Sequence, residues 1–197
     1  MSPSIAVVKV GGSLYDLPDL GPRLRRWLAE QFADGHVVLV PGGGSSTDVI
    51  RKLDRCHRLG EETAHWLALR ALSLNAHFLA SLLPSTRVAG TVDELHRAWE
   101  INLLPVLDVH EFARADEQRP NHLPHSWAVT SDAFAARVAV VLQARRLVLL
   151  KSTTISPGVD WTVAGRLGFV DEMFAEVLRG APADLRVRAV NLRKDEG

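Results

Sequence analysis

Ile5-Ala6-Val7-Val8-Lys9-Val10-Gly11-Gly12-Ser13 and His36-Val37-Val38-Leu39-Val40-Pro41-Gly42-Gly43-Gly44-Ser45 decide how this chain is read. Each opens on a short β-branched run of the kind that forms a buried parallel strand. Each ends in consecutive glycines and passes into a segment with helical spacing. Glycine lets the backbone come close to a ligand and turn its N–H groups on an anion, beside a helix N-terminus. Two such loops in one sheet would hold two phosphate-sized groups side by side, as transfer of a phosphoryl group from donor to acceptor requires.

Outward from these loops, strand and helix alternate. The patterns predict helices over residues 17–33 (stopped by Asp34-Gly35), 47–57, 61–83, 92–100, 108–113, 131–143 and 171–179. Further strands are predicted over residues 87–89, 103–107, 147–150 and 186–190. Residues 115–124 are polar and proline-bearing and read as a mobile loop, and Ser131-Asp132 reads as a helix N-cap. This order predicts an α/β sandwich around a mostly parallel sheet, and 197 residues suit a single domain spanning 1–197. Zero net charge gives no electrostatic case for nucleic acid. The single cysteine, Cys56, excludes an internal disulfide and suits a reducing compartment. No stretch reads as a signal peptide or a membrane span, so a cytoplasmic protein with no membrane partner is expected.

The loops fit neither common nucleotide pattern. Gly44 is followed by Ser45-Ser46-Thr47 instead of Lys-Ser/Thr, and neither loop supplies the last glycine of G-x-G-x-x-G. Positive charge must come from elsewhere. Lys9 and Lys151 close two predicted strands, and ligands of α/β sheets bind beyond the carboxyl ends of the strands. Asp132, at a helix start, could reach the same edge and orient both ammonium groups. Each residue also has a plainer reading: a turn for the glycines, a solvated surface for the lysines, a cap for Asp132. His122-Leu123-Pro124-His125 is a conceivable metal pair, but the sequence shows no dedicated ligand cluster, and no protein metal site is expected.

The set Lys9-Val10-Gly11-Gly12-Ser13, Gly42-Gly43-Gly44, Thr130-Ser131-Asp132 with Ala135-Ala136, and Leu149-Leu150-Lys151 resembles the amino acid kinase superfamily, in the family's order and over nearly the whole chain. The resemblance implies a three-layer α/β/α sandwich with ATP and Mg²⁺ on a compact C-terminal half and the acceptor on the N-terminal half. It implies that Lys9 and Lys151 stabilise the transferring phosphoryl group while Asp132 organises them. Backbone amides at Gly11, Gly12, Gly43 and Gly44, with Ser13, Ser152 and Gly168, would serve the phosphates and nucleotide. It also implies a homodimer or higher homo-oligomer. Where many members carry an Asp-x-Asp-Gly-Val-Tyr-like stretch, this chain reads Ser152-Thr153-Thr154-Ile155-Ser156-Pro157-Gly158-Val159-Asp160.

Within the superfamily, Gly42, Asp48, Arg51, Asp54, Ala64-His65-Trp66 and His125-Ser126-Trp127 ahead of Ser131 resemble the small archaeal-type furan phosphate kinases of methanofuran synthesis. That group implies a phosphomonoester acceptor bearing an aminomethylfuran. Arg51 and Arg55, at i and i+4, share a helix face that could meet the phosphate. Asp48 or Asp54 could take the ammonium, and Trp66 or Trp127 could wall the ring. His65 reads as a core histidine or as part of the acceptor pocket. The alternatives are another acceptor on the same fold (isopentenyl phosphate, a nucleoside monophosphate or a carboxylate) or a non-catalytic nucleotide-binding subunit.

Overall fold

The structure, a computed structural model, describes residues 4–32 and 35–194. Strands β1 (Ile5–Val10), β2 (His36–Pro41), β3 (Thr86–Ala89), β4 (Leu104–Leu107), β5 (Arg146–Lys151) and β6 (Arg186–Asn191) form one six-stranded sheet. Their order is β3-β4-β2-β1-β5-β6, and every neighbouring pair is parallel. Parallel sheets need cover on both faces, which explains why the central strands carry almost unbroken apolar runs. The cover comes from α1 (Leu20–Gln31), α3 (Glu61–Leu82), α4 (Val92–Glu100), α5 (Val109–Asp116), α6 (Ser131–Val141), α7 (Trp161–Arg166) and α8 (Phe174–Leu178), while α2 (Gly44–His57) packs on α3.

Side-chain alternation divides the core in two. Val7, Val38, Val40, Leu147 and Leu149 pack on one face with Leu95 of α4, Phe112 of α5, α6 and Phe174 of α8. Ala6, Val8, Val10, Leu39, Val148 and Leu150 pack on the other with α1 and the second half of α3. Since residues i and i+2 share a face, Lys9 follows Val7, and Lys151 follows Leu147 and Leu149, onto the side that holds α6. With β1 central and β5 beside it, the strand periodicity aims both lysines at the start of one helix.

Several boundaries differ from the sequence expectation. A 3-10 turn at Gly12–Leu14 precedes α1, which begins at Leu20; Asp34 of the expected stop lies outside the described residues. Helix α2 starts at Gly44, earlier than expected, because Gly44 takes a left-handed backbone (φ +56°) that turns the loop directly into the helix. Helix α7 was not anticipated, although Asp160 caps it by accepting from the Thr162 and Val163 N–H groups. The 115–124 stretch is tethered instead of free. Arg137 forks onto the buried Asp116 carboxylate and donates to the Pro120 carbonyl, and Leu123 is buried in the core. Among the described residues, no helix is long and apolar enough to cross a membrane.

Candidate active site

The carboxyl ends of β1, β2 and β5 meet at a buried charge cluster. Lys151 Nζ donates to Asp132 Oδ2 at 2.7 Å, and Lys9 Nζ lies 2.8 Å from Asp132 Oδ1, an ion contact off the line of a hydrogen bond. Lys151 also donates to the Phe169 carbonyl at 2.8 Å. Burial alone would raise the Asp132 carboxyl. The two ammonium groups and their contacts outweigh it and hold Asp132 below the usual carboxylate range. Burial, then the Lys9 charge, pushes Lys151 down to about 8 against the opposing pull of Asp132, so it remains a cation at neutral pH. Two cations on one anion leave the cluster with a net positive charge. Such a charge suits incoming phosphate oxygens.

Asp132 does not cap its helix. Thr130 occupies the N-cap position without a side-chain cap bond. Asp171 does the capping from across the fold: its Oδ2 accepts from the Thr130 N–H, the Thr130 hydroxyl and the Ala133 N–H. Asp132 is thereby released for the lysines while keeping the favourable field of the helix N-terminus. Burial and the Asp132 charge push Asp171 up to about 6.

The two glycine loops interlock. A Cβ on Gly12 would lie 2.1 Å from the Gly44 nitrogen, so only glycine permits this approach. Tyr15 Oη donates to the Gly42 carbonyl and accepts from the Gly42 N–H, while Asn75 Nδ2 donates to the Gly42 and Gly43 carbonyls. Gly11 donates its N–H to the Leu150 carbonyl. The amide of Gly11, expected at the phosphates, and that of Gly42, a residue expected at the acceptor, are therefore engaged in holding the loops. Gly12, Gly43 and Gly44 line the cleft, the last at a helix start whose N–H has no acceptor within the helix. Ser13 and Ser152 join their hydroxyls 2.9 Å apart, bridging the first loop to the end of β5. Gly168 is exposed and does not line this cleft, although the carbonyl of its neighbour Phe169 accepts from Lys151.

Beyond Lys9 and the glycines lies a cavity of about 250 Å³, lined also by Thr47, Asp48, Arg51, His65, Trp127 and Ser131. Arg51 pairs with Asp48 at 3.1 Å and lies over the Trp127 ring at 5.0 Å. Trp127 Nε1 donates to Asp54 Oδ2 at 2.9 Å, so Asp54 holds this tryptophan and does not line the cavity. Arg55 is exposed and absent from the lining, and Trp66 packs against the core. Buried His65 faces His125 at 5.2 Å; burial, then His125, push it down to about 4, so it is neutral at neutral pH. Asn75, Tyr15 and Asp171 went unrecognised in the sequence. The sequence predicted a helix from residue 171, but the reach of Asp171 to residue 130 is a tertiary contact with no local signature.

Comparison with known proteins matches residues 4–154 to a family model described as the amino acid kinase family. The [5-(aminomethyl)furan-3-yl]methyl phosphate kinase of Methanocaldococcus jannaschii is 27% identical over 144 residues, which cover 73% of this chain and 63% of that relative. The matched stretch is thus less than two thirds of that relative's length. Uridylate kinase from Archaeoglobus fulgidus shares the fold with a TM-score of 0.61 at 18% identity, over 90% of this chain and 87% of that one. UMP kinase from Ureaplasma parvum does so with a TM-score of 0.67 at 15% identity, over 98% and 92% of the two chains.

Proposed function

The chain belongs to the amino acid kinase family, and we propose that it transfers the γ-phosphoryl group of ATP to a small phosphomonoester, [5-(aminomethyl)furan-3-yl]methyl phosphate, giving the diphosphate. The observation that carries the kinase reading is the Lys9–Asp132–Lys151 cluster at the mouth of two interlocked glycine loops. An acceptor phosphate oxygen forms the new bond to the γ-phosphorus as the bond from that phosphorus to the ADP oxygen breaks. The acceptor is already an anion, so no general base is needed. Catalysis then reduces to alignment and neutralisation of charge. Lys9, Lys151 and the amides of Gly12, Gly43 and Gly44 meet the oxygens of the transferring group, and Asp132 fixes the separation of the two ammonium groups. Both Asp132 oxygens are engaged, so Mg²⁺ would ride on the nucleotide phosphates, where it neutralises their charge.

The acceptor assignment rests on the cavity and on the named relative. Its volume is below the roughly 300–1,000 Å³ typical of drug-sized ligands. Arg51 and Asp48 form an exposed pair whose two halves match an acceptor carrying both phosphate and ammonium. Trp127 supplies a flat wall for a ring. Phosphorus NMR with Mg-ATP and the furan phosphate tests this, with UMP, isopentenyl phosphate and acetylglutamate in parallel. A diphosphate signal from the furan substrate alone is expected. Turnover of another acceptor would overturn the assignment but keep the kinase.

A further inference from the structure

We propose that Glu117, His122 and His125 bind one divalent transition-metal ion of the zinc class, at a site separate from the lysine cluster. The sequence offered only the two histidines around Leu123-Pro124. The fold adds the carboxylate at the end of α5, and one ligand atom from each residue falls within 4.8 Å of the others. Glu117 Oε1 lies 3.0 Å from His125 Nε2 and 3.6 Å from His122 Nδ1. Tetrahedral zinc, with bonds of about 2.0–2.2 Å, spaces its ligands roughly 3.3 Å apart. Only small side-chain adjustments separate this arrangement from a coordination sphere.

Three further features favour an ion over a plain ion-pair network. The other ring nitrogen of His125, Nδ1, lies 3.8 Å from Glu62 Oε1, beyond hydrogen-bond distance but within a side-chain rotation of the carboxylate–imidazole bond that orients metal-binding histidines. Its ring is already fixed, stacked on His65 and edge-on to Trp66. Glu117 follows Asp116, which Arg137 clamps with two hydrogen bonds, so the carboxylate is presented from rigid backbone. His122 is exposed, leaving an entry path and room for water as a fourth ligand. Its Nδ1 sits 3.3 Å from the Leu123 carbonyl, a contact the ion would replace. Two imidazoles and one carboxylate suit zinc, cobalt or nickel, whereas magnesium and calcium prefer all-oxygen shells. The ion would staple residues 117–125 to the end of α5, two residues before Trp127 on the cavity wall.

The test uses the untagged full-length chain, stripped with a chelator and titrated with Zn²⁺ against a chromophoric indicator. A parallel titration with Co²⁺ is followed by visible absorption. One ion per chain is expected, with a Co²⁺ spectrum typical of a low-coordinate nitrogen and oxygen shell. His122→Ala and Glu117→Gln should each weaken binding at least tenfold, while His77→Ala, exposed on α3, leaves it unchanged. Absence of stoichiometric binding, or binding that survives loss of His122, overturns the proposal. His122 is exposed, so its variant decides the matter even if Glu117→Gln fails to fold. The readout is binding itself and does not depend on turnover of any substrate.

Discussion

Replacing Asp132 by Asn removes the charge between the two lysines while preserving shape. Lys151 Nζ and Asp132 Oδ2 are 2.7 Å apart, and at an effective dielectric of about 20 unit charges at that distance interact by roughly 6 kcal/mol. The Asn carbonyl still accepts from Lys151 and cleft water screens the pair, so about half of that figure, roughly 3 kcal/mol, is the working loss, equivalent to about two pH units. In the parent, Lys151 is pushed down to about 8 by burial and by Lys9. Under the proposed function the cationic form is the active one, so kcat/KM of the parent should fall as pH rises through about 8. In Asp132→Asn that alkaline limb should move to lower pH by roughly two units, leaving only a minority of molecules with a charged Lys151 at neutral pH. Misplacement of the ammonium groups adds to this, and removal of a preorganised oxyanion partner costs on the order of 10²–10³ in kcat. A coupled ADP-release assay across the pH range reads both effects. A variant within tenfold of the parent, or one with its alkaline limb in the same place, would refute the argument.

Gly12→Ala would place a methyl 2.1 Å from the Gly44 nitrogen; forcing the loops apart should cost about 1–3 kcal/mol in urea unfolding and most of the turnover, and an active, equally stable variant would deny that the loops must touch. Arg137→Ala leaves the Asp116 carboxylate, 4% exposed, without its fork and with only Arg119 at 3.5 Å, and a loss of about 1–3 kcal/mol is expected in the same measurement. Asp171, raised to about 6 by burial and Asp132, contributes stability at acid pH that is lost as pH rises from 3.8 through about 6. Its share of the unfolding free energy declines over that window by up to about 3 kcal/mol, while His65, pushed down to about 4, adds stability as pH rises over nearly the same range. The difference in pH slope between the parent and Asp171→Asn, which keeps an acceptor for Thr130 and Ala133, isolates the Asp171 share, and identical slopes would count against it.

The sheet and the lysine pair were legible because both are written in local pattern. The hydrophobic runs ending in Lys9 and Lys151 mark strand ends, and the period of two along those strands fixes the face on which each lysine emerges. What stayed hidden depends on contacts distant in sequence. Asp171 reaches back to residues 130 and 133, and Asn75 reaches the second glycine loop from the middle of α3. Asp132 looked like a cap because Ser131-Asp132 opens a predicted helix and both are good cap residues; nothing local shows that another aspartate has taken that work. The stretch over 115–124 looked mobile from its prolines and charges, yet a buried Arg137, indistinguishable in sequence from a surface arginine, ties it down. Arg51 and Arg55 share a helix face in the sequence, but the cavity reaches only the first two turns of α2, as far as Arg51.

The strand order also carries a timetable for biosynthesis. The first strand made is a central one, and its two neighbours are synthesised far apart in time: β2 begins at residue 36 and β5 only at residue 146. A chain emerging from the ribosome can join β1 to β2, β4 and β3 early, but the free edge of β1 then waits for more than half of the polypeptide. Such non-local pairing is slow and leaves an apolar strand edge open meanwhile. Lys9 waits with it, a charge on the face of an unfinished core, until the segment bearing Asp132 and then Lys151 arrives to neutralise and bury it. The Lys9–Asp132–Lys151 cluster thus cannot close before residue 151 has been made, with β6 joining β5 later still, and under the proposed function a chain stalled before Lys151 has no route to partial activity.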